Sequence, residues 1–508
     1  MTSGTYGTAG RMAGGTHCTA DHGACGTRGT CGTADHGTCG AGDHGACGAF
    51  GTCGTAGGLE SCFLDSLTVT SFFGNAEMRA VFDDRGLMQS WLDVEAGLAR
   101  AQAGLGIVPT AAADRITATA RVDRLDLTAL RAAARRTVHP LVPLVRALAE
   151  ACGEEAGGYV HLGATTQDVM DTGFVLRARQ GLDIVGRQVG ELVRLLRRLA
   201  LRHRDTPMAA RTHGQQALPT TFGLRCAVWQ SELQRHRDRL AEMTPRLLVT
   251  SMGGAAGTMA GYGPKAFALE AALAGELGLT PARVPWHSAP DRFAECVTVL
   301  ALIAATAEKL AREVYFLGRT EIGEAGEPQG DGQVGSSTMP HKRNPIRCEA
   351  VIAAATTLRA QVPVAFGAMV AQDDRDMGVG MTLWKLLPEC FILIGGALER
   401  LIEVVAGLHV DTARMRANLD VTGGLVLSEA VMLRLAPRLG RERAHSLVHR
   451  IVREGLERDI PFAAMLRTDP EVTAALDTGE LERLLDPLSY VGHAAALVDR
   501  ALLDSETP

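Results

Sequence analysis

The sequence predicts an all-α protein of three helical domains around a central bundle of five long helices. Two observations carry that expectation. Beyond residue 58, apolar residues recur at helical intervals through most of the chain. Aromatics make up only 4% while hydrophobic residues reach 46%, and Ala, Leu, Val and Arg dominate, a balance that favours helices. At 508 residues the chain is long enough for several cores.

Taken in order, residues 1–58 stand apart. They are nearly all Gly, Thr, Ala, Cys, Asp and His, and the unit Asp-His-Gly-x-Cys-Gly recurs at Asp21, Asp35 and Asp43. Such a stretch buries too little apolar surface to offset its ordering entropy. It reads as a low-complexity, disordered tail or a translated repeat upstream of the true start. Its His and Cys also admit a metal-binding array, but paired CxxC knuckles are lacking. From Leu59 the composition becomes globular, and a first helical domain is expected over residues 59–168. Ala76 to Leu105 carries Met78, Val81, Phe82, Leu87, Met88, Trp91, Leu92, Val94 and Leu98 at helical spacing.

The bundle is expected over residues 169–410. Its helices are Val169 to Arg204, Thr220 to Leu240, Arg292 to Gly318, Arg347 to Val370 and Leu386 to Leu408. Residues 411–508 read as a smaller helical domain punctuated by Gly423-Gly424 and Pro461. No strand-rich region stands out.

Composition excludes several function classes. A formal net charge of -6 is not a nucleic-acid footprint. No apolar run reaches the roughly 20 residues that span a bilayer, and the start lacks a secretory pattern. Cys62, Cys152, Cys226, Cys296, Cys348 and Cys390 are scattered without paired spacing, which reads as reduced thiols of a cytoplasmic protein. The expected partners therefore include neither nucleic acid nor membrane.

Three polar segments interrupt the helices. His161-Leu162-Gly163-Ala164-Thr165-Thr166-Gln167-Asp168 precedes a long helix; it can cap that helix or offer an anion site at its N-terminus. Arg211-Thr212-His213-Gly214-Gln215, ahead of a Pro219-Thr220-Thr221 helix start, offers an imidazole for proton transfer. Gly335-Ser336-Ser337-Thr338-Met339-Pro340-His341-Lys342-Arg343-Asn344-Pro345 is a loop by composition. It crowds hydroxyls, an amide and cations together, and Lys342 can meet a carboxylate as a point charge.

In this order, the three segments resemble those of the fumarase/aspartase superfamily, whose signature loop has the form GSSxxPxKxN. The resemblance covers roughly residues 70–500. It implies helical homotetramers with a twenty-helix core, in which each active site draws its regions from three subunits. It implies a small dicarboxylate substrate and no metal or organic cofactor. By resemblance, Ser336 is the catalytic base, and it needs ionisation by positive charge and loop amides. Thr165, Thr166, Gln167, Arg211, Thr212, Ser337, Lys342 and Asn344 would bind substrate, and His213 would also protonate the leaving group. A non-catalytic relative would have lost the loop serine or lysine; both are present.

Within the superfamily, the loop, Arg211–Gln215 and Asn418–Gly424 look like the adenylosuccinate lyase and carboxymuconate cycloisomerase branch. The early Arg-Tyr pair of adenylosuccinate lyase is absent near Phe72-Phe73. Trp384 with Leu387-Pro388-Glu389 is closer to the cycloisomerases, as is Asn75–Phe82. His213 pulls the other way, since bacterial cycloisomerases often lack it. The expected activity is β-elimination from a small substituted succinate with release of fumarate, as in nitrosuccinate lyases. Arg135, Arg136 and Arg211 would suit an anionic leaving group. The alternative is a carboxymuconate cycloisomerase; adenylosuccinate lyase is third.

Overall fold

The computed structural model describes residues 70–330, 336 and 338–503. The Cys- and His-rich tail, Gly335 and Ser337 lie outside these residues. Helices dominate, as expected. They begin at α1 (Ala76–Phe82) and α2 (Asp84–Gly104), which the sequence reading had joined. The break falls at Asp83, whose backbone is extended and whose carboxylate accepts the Gly86 amide at 2.7 Å. An aspartate that caps a new helix wins here over continuous periodicity. Then come α3 (Thr110–Thr119), α4 (Leu127–Thr137) and α5 (Leu141–Cys152).

The long helix α6 (Thr166–Arg202) starts where Asp168 accepts the Thr165 backbone amide at 3.0 Å, one half of a capping box. A correction follows it. Pro219-Thr220-Thr221 does not start a helix but ends a β-hairpin, β1 (Pro207–Thr212) paired antiparallel with β2 (Gln215–Thr221). His213 and Gly214 form its turn, with φ of 53° and 78°. Two positive φ values are what a type I′ hairpin turn demands, and His is among the side chains that tolerate them.

Helix α7 (Phe222–Leu247) follows, capped by the Thr221 hydroxyl, then α8 (Ala266–Leu277) and α9 (Asp291–Leu317). After β3 (Ala325–Gly326) come α10 (Ile346–Arg359) and α11 (Met377–Ala406). The expected fourth bundle helix breaks at Ala360-Gln361, and a short second helix continues it over Val362–Gly367. The fifth starts at Met377 rather than Leu386, because Asp376 caps it by accepting the Gly378 and Val379 amides. The strand β4 (His409–Val410) pairs with β3, and α12 (Thr412–Asn418), α13 (Ser428–Leu439) and α14 (Arg441–Arg458) lead into the C-terminal helices.

The five-helix bundle is α6, α7, α9, α10 and α11. Its core includes Val185, Val189, Leu192 and Leu196 of α6, Leu233 of α7, Leu300 and Ile303 of α9, Val351 of α10 and Ile394 and Leu401 of α11. A second core gathers Trp91, Leu92, Ile116, Leu141 and Leu148. It also recruits Met252, Tyr262, Leu269 and Leu273 from the connection between α7 and α9, which the sequence reading had placed inside the bundle region. A third core joins Val431, Leu435, Leu447, Ile451, Phe462 and Leu466.

Ile346–Gly367 is long and apolar enough to cross a membrane by composition. It is divided between two helical pieces, and Val351, Ala354, Ala355 and Leu358 are buried in the bundle.

Candidate active site

The three polar segments do not assemble within one chain. Thr165, Thr166 and Gln167 sit at the start of α6, and the hairpin follows its far end. A helix of 37 residues is roughly 55 Å long at its usual rise. Strands of 6 and 7 residues reach back roughly 20 Å. His213 therefore stays on the order of 30 Å from Thr165 in the same chain. The loop containing Ser336 is rooted at the hairpin end. Arg211 of β1 bonds Glu324, just beyond α9, and Arg347 at the start of α10 donates to the Pro328 carbonyl.

At the first end the sequence foretold three residues, and the structure adds others. Arg375, just ahead of α11, donates to the Thr165 hydroxyl at 2.7 Å and to the Gln167 amide oxygen at 3.0 Å. The other end of the Gln167 amide donates to the His287 carbonyl at 3.0 Å. Gln167 and Arg375, with Thr166, Met170, Asp171, Asp376, Met377, Gly380 and Trp384, line a cavity of about 20 Å³, room for about one water. Two helix N-termini, those of α6 and α11, meet there beside an arginine with no carboxylate partner among the described residues. That is the electrostatic signature of an anion site.

Asp168 holds this end in shape. Its carboxylate, almost fully buried, accepts the Thr165, Gly253 and Gly254 amides, the Tyr262 hydroxyl at 2.7 Å and the His287 ring at 2.8 Å. Burial opposes its ionisation, but His287 and the backbone amides outweigh burial and keep the carboxyl below the usual range. Gly253 has to be glycine, since a Cβ there would lie 2.7 Å from the His287 ring. Ahead of the helix, His161 at φ 61° pairs its ring with buried Glu95 at 2.6 Å.

At the other end, Thr212 and His213 are exposed at the hairpin tip. Arg211 is not free to bind substrate as the sequence reading expected. Its guanidinium makes two bonds to fully buried Glu324, at 2.8 and 2.6 Å, and lies over the Phe316 ring. Asn418 bonds the same carboxylate at 2.7 Å. Arg211 thus fastens the hairpin to the bundle. Ser336 accepts the Met339 amide at 3.0 Å and the Thr338 amide at 3.4 Å. Amides aimed at a hydroxyl oxygen favour its ionised form. Lys342 is exposed and Asn344 half-buried. Buried Glu327 anchors the loop's far root by accepting the Arg347 and Cys348 amides. Arg135 and Arg136 end α4 as exposed side chains.

Sequence reasoning missed Arg375, His287 and Tyr262. Arg375 had a signal, a charged run Asp373-Asp374-Arg375-Asp376 set before a Gly-containing helix start. His287 and Tyr262 had none, because only the fold brings them to Asp168. A larger cleft, about 760 Å³, lies among Arg85, Gln89, Arg100, Arg121 and Arg179. It contains no residue of the three segments.

A family model described as lyase matches residues 74–359, and one described as adenylosuccinate lyase C-terminus matches residues 424–501. The chain is 46% identical to 3-carboxy-cis,cis-muconate cycloisomerase of Pseudomonas aeruginosa, over 85% of this chain and 95% of that protein. It is 41% identical to nitrosuccinate lyase of Streptomyces davaonensis, over 86% and 95%. Among solved structures it resembles 3-carboxy-cis,cis-muconate lactonizing enzyme from Pseudomonas putida, with 43% identity and a TM-score of 0.83 over 86% of this chain and 98% of that one. The helical bundle, the serine loop and these likenesses over most of the chain agree: the protein belongs to the fumarase/aspartase superfamily of lyases.

Proposed function

We propose that the protein is a cytoplasmic enzyme that eliminates a β-substituent from a small substituted succinate and releases fumarate, in sites completed by other copies of the chain in a homotetramer. The observation that carries this reading is the cradle of Thr165, Gln167 and Arg375 at paired helix N-termini, built for a carboxylate and separated from Ser336 and His213 by the length of α6. Antiparallel association of copies places one chain's cradle beside another's hairpin and loop.

In the proposed reaction, Ser336 as alkoxide takes the proton from the carbon beside a substrate carboxylate. The electron pair moves into that carboxylate, giving a dianionic aci form, which Lys342, Asn344 and the cradle stabilise. Collapse forms the carbon–carbon double bond and expels the leaving group, which His213 protonates. Thr166, Thr212 and Ser337 contribute hydrogen bonds to substrate. Arg211 acts through the hairpin it fastens. Trp384, at the cavity wall, leaves little room for a nucleotide.

A second reading has one observation in its favour. The 46% identical Pseudomonas aeruginosa relative is named a carboxymuconate cycloisomerase, a reaction that also moves a proton beside a carboxylate. Nitrosuccinate, S-(2-succino)cysteine, argininosuccinate, aspartate, adenylosuccinate and carboxymuconate assayed side by side separate the two. Fumarate formation from a small succinate supports elimination. Loss of the carboxymuconate chromophore without fumarate replaces it by cycloisomerisation.

A further inference from the structure

We propose that Asp171 supplies a hydrogen-bond donor that meets the substrate carboxylate at the cavity lined by Gln167 and Arg375. The inference rests on the carboxylate-binding reading of that cavity and adds a residue of the opposite formal sign to the one expected there.

Asp168 and Asp171 lie one turn apart on α6 and share burial and the nearby His287, but differ in the hydrogen bonds that reach their carboxyls. Asp168 is saturated by amides, a hydroxyl and an imidazole, so it carries its charge without strain. Asp171 lines the cavity itself. The charged and titratable groups that face it are Asp168 on its own helix, His287 and Arg292 at the start of α9, and Arg375 ahead of α11. His287 is already engaged with Asp168. Arg375 is engaged with Thr165 and Gln167. Arg292 lies over the Trp286 ring at 4.3 Å, and its Nε and Nη1 are buried without a hydrogen-bond partner, so it acts on Asp171 through its charge rather than through those nitrogens. Asp376, also on the cavity wall, points its carboxylate at its own helix amides.

An ionised Asp171 would place a second negative charge one turn from Asp168, on the wall against which a substrate carboxylate would rest. Both the protein and the substrate disfavour that state. Burial pushes the Asp171 carboxyl up to about 7; His287, Gln167 and Arg375 pull it down and Asp168 pushes it further up. Two carboxyls whose surroundings drive them apart divide into one anion and one acid. The acid form has an O–H to give, and a substrate carboxylate can only accept. As the substrate gains charge in the aci form, that hydrogen bond strengthens, which is the requirement for lowering the barrier.

The sign of the pH effect follows. Below neutral pH Asp171 is protonated and binding is undisturbed. As pH rises through its titration, either affinity falls or the bound complex takes up a proton. The test uses tricarballylate, an unreactive substituted succinate, titrated calorimetrically into the full-length protein in two buffers of different ionisation enthalpy. For the wild type we expect proton uptake on binding above neutral pH, with affinity falling about tenfold per pH unit there. Asp171→Asn keeps a donor and loses the titration, so it should bind with a flat pH profile and no proton uptake. Asp171→Ala should bind at least about tenfold more weakly than Asp171→Asn at every pH, and than the wild type below neutral pH. An Asp171→Asn protein that still takes up the proton overturns the inference and leaves the carboxylate reading standing. A folded wild type that binds neither tricarballylate nor succinate overturns the carboxylate reading, and this inference with it.

Discussion

The two ends of α6 are built on opposite principles. At the Thr165 end the polar groups hold one another: Asp168 takes up five donors, Gln167 is bonded at both ends of its amide, and Arg375 bridges the two flanking residues. At the other end the groups suited to chemistry are free. His213 stands exposed at a hairpin tip, Lys342 is exposed, and Ser336 is held by two loop amides. The structural effort there goes into roots rather than tips, through Arg211 on Glu324 and the Arg347 and Cys348 amides on Glu327. A preorganised binding end and an open reactive end suit a site in which one copy's cradle receives another copy's loop.

The largest expected effect breaks the reactive end alone. Ser336→Ala should lower kcat/KM on the order of 10³-fold while tricarballylate still binds, because the base is gone and the cradle intact. Unchanged turnover would remove Ser336 as the base. The same variant tests whether the ends are shared. Co-expressed with Arg375→Ala, it should give a kcat/KM well above that of either variant alone, since mixed assemblies contain sites with one intact cradle and one intact loop from different copies. Absence of any recovery in demonstrably mixed assemblies would count against sharing.

Next comes the scaffold of the binding end. Asp168→Ala strands two glycine amides, the Thr165 amide, the Tyr262 hydroxyl and the His287 ring in the interior. Removing one side of such a buried network costs roughly 3–5 kcal/mol, read as a lower denaturation midpoint. Arg375→Ala should be milder in stability and sharper in binding. It removes charge-assisted hydrogen bonds of roughly 1.5–3 kcal/mol each, so KM should rise about 10- to 100-fold with a smaller change in kcat. A fall in kcat with KM unchanged would move Arg375 from binding to the chemical step.

The same contrast explains what was legible in the sequence. Long amphipathic helices announce themselves through spacing, and all five that form the bundle were found, although the second runs on to Leu247 rather than Leu240 and the fourth breaks at Ala360-Gln361. The boundaries at Asp83, Thr221 and Asp376 shifted because a capping side chain outweighs hydrophobic period. The hairpin was missed because Thr212-His213-Gly214-Gln215 reads as a loop unless His-Gly is taken as a turn pair. Ser336, Lys342, Thr165 and Gln167 were legible because their chemistry is concentrated in short segments. The groups that tune them were not. Arg375, His287 and Tyr262 are each remote in sequence from Thr165, and only packing of α11 and the connection between α7 and α9 against α6 brings them there.

The smallest effect probes how firmly the binding end is held from outside the cavity. His161 anchors the loop before α6 to α2, its ring 2.6 Å from Glu95 and its amide 3.1 Å from the same carboxylate. Burial lowers its proton affinity, but the hydrogen bond and charge of Glu95 win, and the imidazole titrates above its ordinary 6.5. A folded-state value raised above the unfolded one contributes stability that is fully present below about pH 6.5. That contribution disappears as pH climbs through the folded value. The unfolding midpoint of the wild type should therefore fall between mildly acidic and mildly alkaline pH by on the order of 1 °C more than that of His161→Gln. Parallel pH profiles for the two proteins would show that the pair positions the loop through its backbone bond alone. A steeper wild-type profile would show that protonation of a single histidine, outside the cavity, helps to keep Thr165 in register for Arg375.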